Sequence, residues 1–342
     1  MNRTQFYTTH WQERLGNMEN IWHKFIQPCV IFLAFVTNLL PLFIFRRPRF
    51  NCISIGFYLK VLCCQNLLFL TVVYLPSWIA TISNLDDIEN LTDVGCRIYK
   101  FVCSVFQYTG PWIVVAMTVD RYIAIWHPAS APDRTTVFMA KIATAIIYVA
   151  MVWLSVHVMW FSNLEKQGCF TDISLLEVRI WSYISAFANG CLPLVVLLCF
   201  SGMITTGVIV KGTAHTSNTG RPSADLTYSV LILAVLYVLF VTPVTIIGYI
   251  YMFLTPDRIQ SDKYAFFIHL FDHVSFGHQL LTFFVLLFCS RSFREESKEI
   301  FLQLKKNLCG PRTNDSSVKL LRRNSTCIVE IENGREIATA VV

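Results

Sequence analysis

Seven apolar runs, each near the length a helix needs to cross a bilayer, constrain this 342-residue chain more than any other feature. About twenty residues at roughly 1.5 Å each cover about 30 Å of hydrocarbon. The runs lie at about Phe25–Phe45, Ser54–Thr81, Tyr99–Ile125, Val137–Phe161, Ile180–Val210, Thr227–Leu254 and Ala265–Phe288. Only 15% of the residues are charged, against about a quarter in soluble domains. The expected fold class is an all-α membrane protein, with residues 25–288 forming a seven-transmembrane helix bundle. The third and seventh runs are the least clean, because they contain Asp120–Arg121 and Asp272.

Sidedness follows from charge. The first run ends in "FRRPRF", which places Arg46, Arg47 and Arg49 hard against it. Basic residues stay cytoplasmic, so residues 1–24 are expected outside the cell. Seven crossings then bring residues 309–342 inside as a disordered tail. On this topology the outer segments hold nine Lys and Arg against eleven Asp and Glu, and the inner segments nineteen against ten. The net charge of +6 therefore gathers on the side that faces anionic lipid. The first twenty-odd residues are polar and lack the pattern of a cleaved signal peptide. The short loops hold no nucleic-acid module.

Twelve cysteines are present, half of them inside the runs, where a thiol is a packing residue. Cys96 and Cys169 alone fall in outer loops. In an oxidising compartment they make one natural bridge; two free thiols are the alternative. After the last run, residues 290–308 read "SRSFREESKEIFLQLKKNL", with Phe293, Ile300, Phe301 and Leu304 at helical spacing among charges. That pattern predicts a short amphipathic helix on the inner membrane surface. Cys309 follows it as a palmitoylation candidate or a free thiol. Sequons at Asn2 and Asn90 fall outside and are glycan candidates. Those at Asn314 and Asn324 fall inside. "RRNS" at Arg322–Ser325 suits a basophilic kinase.

The segment "AMTVDRYIAIWHP" interrupts an apolar run with Asp120, Arg121 and Tyr122. Alone it has two readings. It is an end-of-helix anchor, with a cation complementing the helix dipole, or a charge pair that opens to meet a partner. The rest of the chain resembles a rhodopsin-like (class A) G-protein-coupled receptor over Phe25 to Leu308. Asp120–Arg121–Tyr122 is similar to that family's Asp-Arg-Tyr segment. Cys96 lies 25 residues before Arg121, the family spacing for the bridge at the top of span three. Asn38, Trp153, Pro193 and Pro243 match helix-packing positions of spans one, four, five and six, and Ser292–Glu295 resembles the start of the family's eighth helix. The resemblance implies an extracellular ligand, a heterotrimeric G protein engaged through Arg121, and arrestin and kinases at the tail. It calls for no cofactor and no enzyme activity.

Departures from the family pattern are as informative. Asn66 replaces the second-span aspartate that helps hold sodium, so sodium inhibition should be weak or missing. The sixth span reads Phe240-Val241-Thr242-Pro243 where the family shows Cys-Trp-x-Pro. The seventh reads Thr282-Phe283-Phe284-Val285-Leu286 where the family shows Asn-Pro-x-x-Tyr.

Two ligand classes are excluded by single positions. Cys103 stands where amine receptors carry an aspartate, and a neutral thiol cannot pair with a protonated amine. No lysine in span seven serves a retinal Schiff base; the matching position is about Phe276. His269, Asp272 and His273 share one helical face. They form the polar wall of a wet pocket, an internal acid–histidine pair, or a zinc site. Gln107 and Tyr108 sit one turn below Cys103. Trp78, Trp160, Trp181 and Tyr183 lie near outer span ends as ligand contacts or as interfacial aromatics. The loop around Cys169 resembles the hairpin lid of peptide-binding members, and the general texture resembles invertebrate neuropeptide receptors, including FMRFamide-like ones. The expected function is a plasma-membrane neuropeptide receptor. The alternatives are a weakly coupling seven-helix protein and a transporter or channel, the last lacking the repeats such proteins show.

Overall fold

The apolar runs fold as helices where their length demands it, because a helix satisfies its own backbone inside hydrocarbon. The structure is a computed structural model that describes residues 18, 20–83, 85, 88–165, 168–171, 176–211, 222–254 and 277–309. Helix α1 is Trp22–Phe45, α2 Ser54–Ser83, α3 Asp93–Trp126, α4 Val137–Phe161 and α5 Leu176–Val210. Then come α6 at Pro222–Leu254, α7 at Gly277–Cys289 and α8 at Arg291–Cys309. Six are long and apolar enough to cross a bilayer, α6 over Leu226–Ile247, and the described part of α7 is a shorter apolar helix. Residues 255–276, which hold the first part of the seventh run, lie outside the described residues. The protein is an all-α membrane protein, a seven-transmembrane bundle with a short amphipathic eighth helix.

One face of each helix points inward. Helix α1 buries Ile31, Ala34, Asn38, Pro41 and Phe45, the three-and-four spacing of a helical stripe. Helix α6 buries Leu226, Val230, Leu233, Ala234 and Tyr237 in a core shared with Leu59, Ile113, Met117, Leu197 and Leu286. The opposite faces expose Phe32, Phe138, Val149, Val195, Leu239 and Phe288. Apolar surface of that extent suits lipid and not water. Helix α3 is the centre of the bundle, packed against α2, α4, α5 and α6.

Two prolines reshape their helices. A π turn at Leu70–Tyr74 precedes Pro76, and another at Phe187–Cys191 precedes Pro193. Proline lacks an N–H and its ring crowds the carbonyl four residues back; a widened turn relieves both.

Helix α3 begins at Asp93, six residues before the predicted Tyr99. Thr92 Oγ1 accepts the Gly95 N–H at 3.0 Å, and Asp93 in the first turn complements the positive helix end. Hydropathy misses this start because the added turns are polar. After α4, strands β1 (Ser162–Glu165) and β2 (Gly168–Thr171) form an antiparallel hairpin with Leu164 opposite Cys169. Gly168 has φ 130°, a conformation that side chains strain against.

Helix α8 starts one residue later than predicted, with Ser290 Oγ accepting the Phe293 N–H at 3.2 Å. Arg294 Nη1 donates to the Leu287 and Phe288 carbonyls, at 3.2 and 2.6 Å, and so covers the open carbonyls of α7. The predicted apolar stripe divides. Phe293 turns into the bundle among Phe45, Phe50 and Phe283, while Phe301 stays exposed.

Candidate functional site

Consecutive residues of a helix do not face one another. Arg121, one residue past Asp120 near the end of α3, nevertheless folds back on it. Its Nε and Nη2 donate to Asp120 Oδ2 at 3.1 and 2.5 Å. Ser54 Oγ, in the first turn of α2, donates to the same oxygen at 3.0 Å. The two charged side chains are 6% and 7% exposed. A pair this deep holds only while its hydrogen-bonding groups are met, and loss of one partner costs about 3–5 kcal/mol. Three donors on one carboxylate oxygen meet that need.

The surrounding contacts fix α3 to α5. The Tyr122 ring stands edge-on to Phe200 at 5.1 Å, and Trp126 Nε1 donates to the Met203 carbonyl at 2.8 Å. A Cβ on Gly207 would lie 2.7 Å from Ile125 Cγ2, so only glycine allows this approach. Helix α6 meets α3 along its apolar stripe.

At the opposite end of α3, Cys96 and Cys169 form a disulfide with Cα atoms 5.6 Å apart. Hydrogen bonds latch the hairpin beside it. Asp93 Oδ1 accepts the Leu164 N–H at 3.1 Å, Asn90 Oδ1 accepts the Cys169 N–H at 2.9 Å, and Arg97 Nη2 donates to Asn163 Oδ1 at 2.7 Å. The Asn90 carboxamide thus has a structural task, one that leaves its Nδ2 out of this bond.

Between the two ends lie the ligand candidates. The Cys103 thiol is half-buried. Gln107 is exposed. Tyr108 and Tyr183 are half-buried. Trp181 is engaged by α4. It stacks on His157 at 5.7 Å and meets Trp153 edge-on at 6.0 Å. Trp78 Nε1 donates to the His23 carbonyl, joining α2 to α1, and Trp160 is exposed. His269, Asp272, His273 and Asn2 lie outside the described residues, as do residues 310–342. Cys309 is the last residue of α8.

The helix-packing positions resolve differently from one another. Asn66 Nδ2 donates to Asn38 Oδ1 at 2.9 Å, and Asn38 Nδ2 donates to the Ala34 carbonyl at 2.8 Å. This amide pair stands where the family uses a carboxylate. Pro193 is buried beside its π turn, and Pro243 is half-buried within α6. Trp153 is 68% exposed; it faces lipid and packs on Trp181 instead of entering the core.

Two contacts were not anticipated from sequence. Gln65 Nε2 donates to the Phe106 carbonyl at 2.6 Å, and Gln65 Oε1 accepts from Tyr148 at 2.5 Å. One buried amide thereby ties α2 to α3 and α4. The signal was a glutamine in an apolar run, which must find partners if it is inside. Tyr237 of α6 also meets His278 of α7 edge-on at 5.1 Å. The two rings join these helices close to the missing tryptophan and Asn-Pro-x-x-Tyr positions.

A central α3, a disulfide at one end and a buried Asp-Arg pair at the other agree with the family model for the 7 transmembrane receptor (rhodopsin family), which matches residues 37–291. The chain belongs to this family and is a class A G-protein-coupled receptor.

Proposed function

We propose that the chain is a plasma-membrane receptor for a short extracellular peptide, promoting nucleotide exchange on a heterotrimeric G protein. The closed Asp120–Arg121–Ser54 cluster carries the coupling half of this reading. A guanidinium buried at rest and freed when helices part offers five N–H donors to a partner's backbone. A ligand moves that balance only through unequal affinity for the closed and open states. The peptide half is supported by Cys103, which cannot pair with an amine, by the hairpin latched over α3, and by the exposed Gln107 one turn below Cys103. The arginines after α1 support an outer N-terminus and a cytoplasmic tail, where kinases and arrestin would act. On that orientation Asn2 and Asn90 face outside as glycan acceptors, and Cys309 faces inside as a palmitoylation candidate.

A second reading, weak coupling, is favoured by one observation. Val241 and the buried Leu286 replace the family's switch residues, so the trigger must run through other packing, such as Tyr237 on His278. A peptide-library screen on cells carrying a promiscuous G protein, beside a ligand-free control, separates the readings. A peptide that raises exchange through the wild type, and not through an equally displayed Arg121→Ala variant, supports the first. A response confined to amines would overturn the peptide assignment. Silence to every peptide, with high surface display, favours weak coupling.

A further inference from the structure

Three cations gather on the face where α1, α2 and α4 meet lipid, at the end of the bundle that carries α8. Lys60 stands in the second turn of α2, Lys141 in the second turn of α4, and Arg46 directly follows α1. They are close enough for Lys141 and Arg46 to repel the Lys60 ammonium. Helix α2 packs against both α1 and α4, so the three charges stand on neighbouring helices at one end of the bundle. The wall around them is apolar and faces outward, with Phe43, Phe138, Met139 and Ile142 exposed. The exposed Cys64, within the field of Lys60 and Arg46, extends it towards the bilayer centre.

Their partners do not neutralise them. Lys60 Nζ donates to Asn51 Oδ1 at 2.5 Å, a neutral acceptor. Arg46 lies over the Phe43 ring at 5.8 Å. Other basic residues of the described surface do find acids: Arg49 and Arg291 share Glu295, Arg97 pairs with Asp93, and Lys100 with Glu89, while Arg47 and Arg294 meet neutral acceptors. Among the described residues no carboxylate pairs with Arg46, Lys60 or Lys141. Like charges in mutual repulsion, placed where helices enter hydrocarbon, call for an anion from outside the protein. At that depth the anion on hand is a phospholipid phosphate, and lysine stems can run along apolar surface to reach it.

We propose that Arg46, Lys60 and Lys141 form a binding site for the headgroup of an anionic phospholipid, whose chains lie along the α2–α4 wall. The site depends on the membrane crossings and not on the peptide or G-protein assignment. The test uses the full chain in phosphatidylcholine vesicles with phosphatidylserine in both leaflets, so that its outcome does not depend on orientation. A photoactivatable phosphatidylserine should label the peptides of α2 and α4 that bear Lys60 and Lys141. Each lysine neutralised, as in K60Q and K141Q, should lower that labelling about five-fold. The charge-keeping pair K60R/K141R should retain it, as should K298Q/K305Q on α8. If K60Q compromises folding, the exposed K141Q alone still decides. Equal labelling by a photoactivatable phosphatidylcholine, labelling unchanged in K141Q, or full competition by inorganic phosphate would each overturn the lipid site.

Discussion

The Ser54 hydroxyl donates to Asp120 Oδ2 across 3.0 Å, so a residue of α2 helps decide how firmly α3 holds its own Arg121. The closed state is a joint property of two helices. A hydrogen bond to a charged group contributes about 1.5–3 kcal/mol, which corresponds to a ten-fold or larger shift between closed and open forms. Ser54→Ala should therefore raise ligand-free nucleotide exchange about ten-fold at unchanged surface display, measured as guanine-nucleotide binding on isolated membranes.

The Asn38–Asn66 amide pair replaces a charge with a hydrogen bond. Asn66→Ala removes the donor to a buried oxygen and should cost about 1–3 kcal/mol, read as a lower melting midpoint of the purified receptor. Replacing potassium by sodium at equal ionic strength should leave the wild-type midpoint unchanged, since no carboxylate stands at position 66.

Gln65 braces three helices. Gln65→Leu strands the Tyr148 hydroxyl in an apolar setting and releases the Phe106 carbonyl. A double-mutant cycle with Tyr148→Phe should give a coupling energy of about 0.5–3 kcal/mol. Additive effects on the melting midpoint would contradict the brace.

The Arg49 guanidinium, and then Arg291, hold the Glu295 carboxyl below its ordinary range. A depressed acid contributes stability above its unfolded value, about 4.3, and that contribution is lost as pH falls through the folded value. Attachment of α8 should thus be flat from neutral pH down to about that value and loosen in stronger acid. Glu295→Gln should remove the acid-side dependence, and salt should weaken the contact. Proteolytic cleavage rates at α8 across pH read both effects.

The spans, the Cys96–Cys169 bridge and the Asp120–Arg121 pair were legible because each leaves a local mark: apolar length, compartment, or charge in the wrong place. Contacts set by helix rotation left none. Trp153 matches a helix-packing position and faces lipid, since hydropathy does not distinguish the two sides of an apolar helix. Gln65, Tyr237 and His278 acquire their partners from other helices, and no spacing within one segment encodes that. The early start of α3 is hidden in the sequence because a capped turn carrying Asp93 and Arg97 gives no hydrophobic signal.

Nucleotide exchange on a purified G protein, driven without ligand by the receptor in vesicles, tests the central claim most directly. Asp120→Asn should raise exchange above wild type by freeing Arg121, and Arg121→Ala should abolish it in both the wild-type and the Asp120→Asn backgrounds. Exchange that persists in Asp120→Asn/Arg121→Ala at the Asp120→Asn level would show that Arg121 does not contact the G protein, and would contradict the account.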